Sequence, residues 1–157
     1  MRNMKKPLLY IFFLICPIIS FAQAKPMEQK SHGNGLNLVR NFIKDLANED
    51  IALDVILSQY VRVTEPSDEL YDYLEVSLEE IRINLMMKKL DLIQYKSYKE
   101  LPRKEVRDID VEDLNTENMY FLYHKDRLLT SIYTEEGKIA SFTLVSKGNE
   151  MAHFVCY

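Results

Sequence analysis

The order of two hydrophobic periodicities constrains the fold of this chain more than any other feature. Before Lys89, apolar residues recur at three- and four-residue spacing, which is typical of helices with one buried face. After Lys89 the spacing shifts towards two, which is typical of strands. Helices followed by an antiparallel meander predict an α+β domain. We expect three N-terminal helices packed on a curved C-terminal antiparallel sheet.

The helical half divides at two polar breaks. The first helix begins at Leu36 and ends before Asn48, and Asp50 is a natural N-cap for a second helix over 51–61. Ser67 can cap a third helix. This third helix has the most regular apolar stripe of the chain, formed by Leu70, Leu74, Leu78, Ile81 and Leu85.

The strand half is predicted as one strand followed by a four-stranded meander. A strand over 92–101 ends at Pro102, and an acidic connector leads to the meander. The four meander strands are expected over 119–124, 127–134, 138–146 and 150–157, with short polar turns between them.

Neither face of the meander is plainly charged, so we expect both faces to be at least partly covered. One face would pack on the helices. The other would either line a pocket or meet a partner, or the sheet would curl over its own core, and the pattern leaves both open. The residues that could belong to such a pocket or sheet face are Tyr120, Tyr123, Thr130, Tyr133, Ser141, Thr143 and His153.

The first 24 residues have the pattern of a cleaved signal peptide. A basic start precedes an apolar run over 8–21, and Ala22-Gln23-Ala24 offers small residues for cleavage after Ala24 or, alternatively, after Ala22. A run of about 14 residues is short for a membrane span, which needs roughly 20. We therefore predict an exported protein, periplasmic or secreted, with a flexible leader over 25–35 and a single domain over 36–157.

Charge argues against two classes of partner. The first 24 residues hold three of the 20 basic residues and none of the 24 acidic ones, so the exported chain would carry a net charge of −7. Such a balance is unfavourable for nucleic acid, which requires a clustered basic surface, and for anionic membrane surfaces. No later segment approaches 18 consecutive apolar residues, so we expect no membrane span in the mature chain.

The cysteines exclude a disulfide framework. Cys16 lies in the predicted signal peptide, and only Cys156 would remain after cleavage. A lone cysteine forms no internal disulfide. Cys156 is either a small buried apolar residue or a site for an intermolecular disulfide.

Residues 42–63, FIKDLANEDIALDVILSQYVRV, resemble the opening of the cone-shaped α+β superfamily typified by nuclear transport factor two and ketosteroid isomerase. In that superfamily a first helix ends in a polar break before an aspartate, which Asp50 matches. An apolar second helix, matched by Leu53 and Leu57, then leads into a brief strand, matched by 61–63. The resemblance implies a cone-shaped fold.

A second resemblance concerns the end of the chain. Small envelope modules built from two helices and a meander, such as inhibitor-like and assembly-accessory proteins, have a similar element order. Neither family implies a single function, because such folds include enzymes, binding proteins and assembly modules.

The motifs of common catalytic sites are absent from the sequence. There is no nucleophile elbow and no phosphate-binding glycine loop, and the histidines lack the spacing of zinc ligands. Asp108, Asp110 and Glu112 alternate as calcium ligands can, but Ile109 and Val111 lie between them and no glycine provides the turn. We therefore predict no catalytic residue, no cofactor and no metal site.

The leading hypothesis is an exported, non-enzymatic α+β domain that binds a small molecule or a protein partner through its curved sheet. One alternative is an enzyme of the isomerase or cyclase type, with a tyrosine and a carboxylate inside the cone, as the superfamily resemblance implies. Another is a homodimeric envelope module.

Overall fold

A computed structural model describes residues 31–148 and 150–157 of the chain. It confirms the α+β class, with helices first and antiparallel strands last. The predicted signal peptide over 1–24, with Cys16, lies outside the described residues, as do residues 25–30 of the predicted leader.

The three predicted helices are present, but the residues at which they begin and end differ from the predicted ones. Helix α1 begins before the apolar stripe that starts at Leu36, and α2 begins at Leu53 with Ala52, not Asp50, as its N-cap. Ser67 caps the third helix as expected, since its hydroxyl accepts a hydrogen bond from the Leu70 N–H at 3.2 Å. The helices are α1 (Ser31–Leu46), α2 (Leu53–Tyr60), α3 (Asp68–Met86) and a single-turn α4 (Arg103–Val106).

The strands form two sheets. Four strands pair antiparallel in the order β1-β2-β3-β4, and a separate two-stranded sheet joins β5 to β6. Their bounds are β1 (Ile93–Ser97), β2 (Met119–His124), β3 (Arg127–Glu135), β4 (Lys138–Ser141), β5 (Leu144–Gly148) and β6 (Met151–Phe154).

The strand expected over 138–146 is divided in two at Phe142 and Thr143. The Ser141 hydroxyl donates to the Thr143 carbonyl at 3.0 Å and accepts from the Thr143 N–H at 3.1 Å. Such local side-chain bonds compete with strand pairing. Because β4 ends at Ser141, it pairs with β3 only from Tyr133 to Glu135.

Two cores lie on opposite faces of the four-stranded sheet. The helix-side core joins the three long helices to the sheet and includes Phe42, Leu74, Tyr120 and Ile132. The outer core joins the sheet to the segment 98–114 and the β5–β6 hairpin. It includes Leu101, Phe121, Tyr133 and Phe154. Both faces of the sheet are therefore covered by the chain itself, as the uncharged strands predicted.

A buried arginine ties the helices together. Arg82 of α3 is 7% exposed, and its Nε donates to the Leu46 carbonyl at 2.8 Å while its Nη2 donates to the Ile51 carbonyl at 2.6 Å. These carbonyls lie at the end of α1 and in the connection to α2, where a helix leaves acceptors unpaired. Arg82 thus fixes the α1–α2 connection on α3.

The brief strand expected over 61–63 is reduced to one bridge. Val61 pairs in parallel with Ile139 of β4, and the Arg62 N–H donates to the Ile139 carbonyl at 2.8 Å. Val61 therefore lies at the β4 edge of the main sheet. Among the helices of residues 31–148 and 150–157, none has both the length and the apolar character that crossing a bilayer requires.

Candidate functional site

The residues predicted to line a pocket or sheet face are distributed over several places. Tyr120 lies in the helix-side core, whereas Tyr123 and Tyr133 lie in the outer core on the opposite face of the sheet. Ser141 is fully buried at the end of β4, and His153 has its Nδ1 3.5 Å from a Glu112 carboxylate oxygen. The remaining two, Thr130 and Thr143, line one groove.

The tyrosine hydroxyls have altered acidity because they are buried. Burial, followed by a hydrogen bond to the Glu105 carboxylate at 2.9 Å, raises the pKa of Tyr123 to about 12. Burial also raises the pKa values of Tyr120 and Tyr133. Each of these groups therefore stays protonated at neutral pH, when it can donate a hydrogen bond.

A polar cleft lies where the first turns of α1 meet the β3–β4 turn and the residue that precedes β2. Its volume is about 280 Å³. We call it the asparagine cleft, because four of the side chains that line it are the carboxamides of Asn34, Asn37, Asn41 and Asn118.

The helix geometry aligns three of these carboxamides. Asn34, Asn37 and Asn41 are spaced three and four residues apart, which places them on one face of α1. All three are exposed, whereas Val39 and Phe42 on the neighbouring face are fully buried. The buried face fixes the orientation of α1 on the sheet and so directs the asparagines towards the β3–β4 turn.

The floor of the cleft depends on a close approach of α1 to the sheet. A Cβ atom at Gly35 would lie 2.4 Å from the Tyr120 hydroxyl oxygen and 3.4 Å from Thr134 Oγ1. Gly35 is therefore the residue that lets the helix contact Tyr120. Tyr120 and Thr134 are hydrogen-bonded, and Thr134 Oγ1 also lies 3.4 Å from the Asn118 carbonyl oxygen. This chain of hydroxyls underlies the asparagines.

Two carboxylates and one guanidinium border the cleft, so it retains a net negative charge. Glu135 and Glu136 line it beside Gly137. The Arg62 guanidinium forms an ion pair with Glu135, and its Nε lies 3.5 Å from Glu136. One guanidinium thus offsets part of the charge of two carboxylates, and the other lining side chains are uncharged.

Little in the sequence alone indicates this cleft. The spacing of Asn34, Asn37 and Asn41 is visible in the sequence. Polar residues on the outer face of a helix are ordinarily solvated, however, so this spacing does not by itself indicate a binding site. Their proximity to the 134–137 turn is set by long-range packing. Of the predicted site residues, Tyr120 alone contributes to this region.

A second concave surface, the α3–β3 groove, runs between α3 and β3. Its larger part has a volume of about 360 Å³ and is lined by Tyr73 and Glu80 of α3 and by the segments 128–131 and 142–144. A smaller part of about 180 Å³ continues past Leu128 to Arg127 and Lys88. This groove contains Thr130 and Thr143.

The groove includes an unsatisfied polar group. Ser131 is 4% exposed, and its Oγ is buried without a hydrogen-bond partner, the only such side-chain atom within the described ranges. The adjacent Thr130 Oγ1 lies 3.5 Å from the Phe142 carbonyl oxygen, at the point where β4 has ended and no longer pairs with β3.

The acidic connector between β1 and β2, which contains Asp110 and Glu112, binds a lysine of the chain itself. Lys147 Nζ lies 2.9 Å from Asp110 Oδ2 and 2.5 Å from Glu112 Oε1. These hydrogen bonds lower the pKa values of both carboxyl groups and raise that of Lys147. No group of three or more potential metal-ligating side chains occurs in residues 31–148 and 150–157.

Comparison of the chain with protein-family models, with curated proteins and with solved structures gave no significant match.

Proposed function

We propose that this chain is an exported, non-enzymatic binding domain that takes a small, uncharged, hydroxyl-rich molecule, such as a sugar ring, in the asparagine cleft. The observation that carries the proposal is the convergence of four carboxamides above the hydroxyls of Tyr120 and Thr134.

The donor and acceptor chemistry favours hydroxyl groups. A carboxamide offers two N–H donors and one carbonyl acceptor, so it can donate to one hydroxyl of a ligand and accept from its neighbour. Asn34, Asn37 and Asn41 repeat this capacity along one face of α1. A polyol presents the matching series of adjacent donors and acceptors.

The charged groups beside the cleft favour a neutral ligand. A carboxylate ligand would meet Glu136, whose side chain is 73% exposed. A cationic ligand would compete with Arg62 for Glu135. A neutral ligand avoids both the repulsion and the exchange of an existing ion pair.

The size of the cleft limits both the ligand and its affinity. At about 30 Å³ for each water, 280 Å³ corresponds to about nine water molecules, or one sugar ring. A ligand of about 12 non-hydrogen atoms at about 0.3 kcal/mol per atom gains roughly 4 kcal/mol, which corresponds to a Kd of about 1 mM.

The proposal is tested by titrating the isotope-labelled protein with glucose, glucosamine and glucuronate while recording amide NMR spectra. These probes share one ring and differ in charge. We expect glucose to shift the side-chain NH₂ signals of Asn34, Asn37 and Asn41 with a Kd of about 1 mM, and the charged probes to bind at least about threefold more weakly.

Two variants separate the cleft from the rest of the surface. Asn37→Ala should weaken glucose binding about tenfold, because it removes three hydrogen-bonding positions. Gln94→Ala removes an exposed carboxamide from β1 and should leave binding unchanged. Asparagine signals that do not move at about 50 mM of any probe, roughly fifty times the expected Kd, would exclude the proposed ligand class.

We further propose that the fold belongs to the cone-shaped superfamily of nuclear transport factor two and ketosteroid isomerase. Support comes from the order of the three helices and the sheet, and from the Val61–Ile139 bridge at the position of the expected brief strand. An experimental structure tests this. A sheet that superposes on those cones, with Val61 beside β4, is expected, and a different strand order would refute it.

A further inference from the structure

Helix α3 has a second apolar stripe, on the side that faces away from the core. The buried side of the helix includes Leu74, Leu78 and Leu85. We call the second one the outer α3 stripe, and its members, which are 47%, 62%, 51% and 76% exposed, are Tyr73, Val76, Ile83 and Met87. A helix that packs on a core is normally polar on its solvent side. A row of exposed apolar residues there is typical of a protein interaction surface.

The spacing of the outer α3 stripe is that of a surface where two helices pair. Positions 73, 76, 80, 83 and 87 are separated by alternating steps of three and four residues, and all except Glu80 are apolar. Residues at this spacing pack against a second helix in coiled coils. At 1.5 Å per residue the stripe is about 21 Å long, which corresponds to about four turns of a partner helix.

The charge of α3 determines which kind of helix fits. The helix contains six acidic residues and one basic residue, Arg82, which is buried. Asp72 and Glu79 lie next to the stripe, and Glu80 lies within it. Among the described residues, no ion pair involves an acidic side chain of α3. These carboxylates are therefore complementary to lysine or arginine on a partner.

A second copy of the chain is a poor partner for the same stripe. Pairing α3 with α3 would bring two sets of six acidic residues together, with Glu80 of both copies in one interface. Lys88 and Lys89, which follow the helix, would offset only part of this charge. Repulsion between like charges thus disfavours self-association and favours a basic helix.

We propose that the outer α3 stripe binds an amphipathic helix of a partner protein that carries lysine or arginine beside its apolar face. The apolar face of the partner packs on Val76 and Ile83. Its cations approach Asp72, Glu79 and Glu80. The contact does not involve the asparagine cleft, so either proposal can fail alone.

A designed peptide tests the chemistry of the partner. The probe is the heptad Leu-Ala-Ala-Leu-Lys-Ala-Lys repeated three times, which presents a row of leucines flanked by lysines when it is helical. A matched peptide has glutamate in place of every lysine and keeps the leucines. By isothermal titration calorimetry at low salt, we expect the lysine peptide to bind the purified protein with a Kd of about 10 µM. The glutamate peptide should bind at least about tenfold more weakly.

Apolar variants locate the contact on α3. Val76→Ala with Ile83→Ala removes exposed apolar surface and should weaken binding of the lysine peptide at least about tenfold. Alanine favours the helix, so the loss would not reflect unfolding of α3. The control is Val55→Ala with Val145→Ala, at two valines of α2 and β5 that are 46% and 36% exposed. This control should leave binding unchanged.

A charge variant tests the acidic side of the stripe. Glu79→Lys should weaken binding of the lysine peptide at least about threefold, because an attraction becomes a repulsion. Glu150→Lys makes the same change at an exposed residue between β5 and β6 and should have no effect. Raising the salt concentration to about 1 M should reduce the difference between Glu79→Lys and the unaltered chain.

Three outcomes would overturn the proposal. The first is equal affinity for the two peptides, or no binding of the lysine peptide at about 200 µM, roughly twenty times the expected Kd. The second is an equal effect of the α3 variants and their controls. The third is a dimer of the unaltered chain in analytical ultracentrifugation that Val76→Ala with Ile83→Ala abolishes, since the stripe would then belong to a second copy.

Discussion

Two glycines of α1 allow a sharp test of the contact that forms the floor of the asparagine cleft. Replacing Gly35 with alanine places a Cβ atom 2.4 Å from the Tyr120 hydroxyl oxygen and 3.2 Å from the ring carbon that bears it. Real Cβ atoms essentially never come within 3.0 Å of such an atom, so the helix or the ring has to move. Tyr120 is 1% exposed in the helix-side core and has little room to do so.

The matched variant is Gly33→Ala, because a Cβ at Gly33 meets nothing within 4 Å. Alanine in place of glycine in a helix gains at most about 1 kcal/mol at either position. Overpacking costs about 1–3 kcal/mol, and only Gly35→Ala incurs it. We therefore expect Gly35→Ala to be less stable than Gly33→Ala by about 1–3 kcal/mol.

Urea unfolding followed by circular dichroism measures this difference directly. In thermal unfolding each kcal/mol corresponds to about 3–6 °C for a domain of this size. Gly35→Ala should also weaken glucose binding, because the floor of the cleft is displaced. Equal stability of the two variants would refute the close approach of α1 to Tyr120.

Two further predictions concern the helices and the acidic connector. Arg82→Met keeps the alkyl part of the side chain but leaves the Leu46 and Ile51 carbonyls without donors. Urea unfolding should therefore show a loss of about 2–4 kcal/mol in the free energy of unfolding. The control Arg103→Met, on the exposed α4, should lose less than about 0.5 kcal/mol. The lowered pKa values of Asp110 and Glu112 mean that their contribution to stability is complete above their ordinary values and is lost as pH falls through the folded values. Lys147→Met should therefore flatten the fall in stability below about pH 4. If the unaltered chain and Lys147→Met lose stability equally as the pH falls, the Lys147 contacts with Asp110 and Glu112 are refuted.

The helical half of the fold was predictable because local signals agree with packing. The Ser67 cap and the stripe from Leu70 to Leu85 predicted α3, and four residues of that helix, including Leu74 and Leu78, are buried. Arg82 was not predictable, because its partners lie 36 and 31 residues away.

The strand half was predictable in type but not in pairing. The alternation predicts strands on both sides of Phe142, yet the Ser141–Thr143 hydrogen bonds that divide them depend on backbone geometry. The pairing of β5 with β6 in a separate sheet follows from that division. Strand pairing depends on contacts distant in sequence, which periodicity does not report.

The candidate sites were less predictable than the fold. Alternation identified polar and aromatic strand residues, but it did not separate Tyr120 from Tyr123, which lie on opposite faces of the sheet. The asparagine cleft brings residues 34–41 to residues 134–137, and nothing in either segment indicates the other. Lys147 between Asp110 and Glu112 was missed for the same reason.

The covering of the sheet by two different layers has a consequence for how the domain opens. The helix-side layer contains three helices and is fixed by Arg82, whereas the outer layer consists of the segment 98–114 and the β5–β6 hairpin. Lys147 links these two parts of the outer layer through partly exposed ion pairs, which acid weakens. The outer layer should therefore detach first, at a free energy below that of global unfolding. Such a partly open state would expose Phe121 and Tyr133 while the helices stay folded, so aggregation below about pH 4 would begin from this face of the sheet.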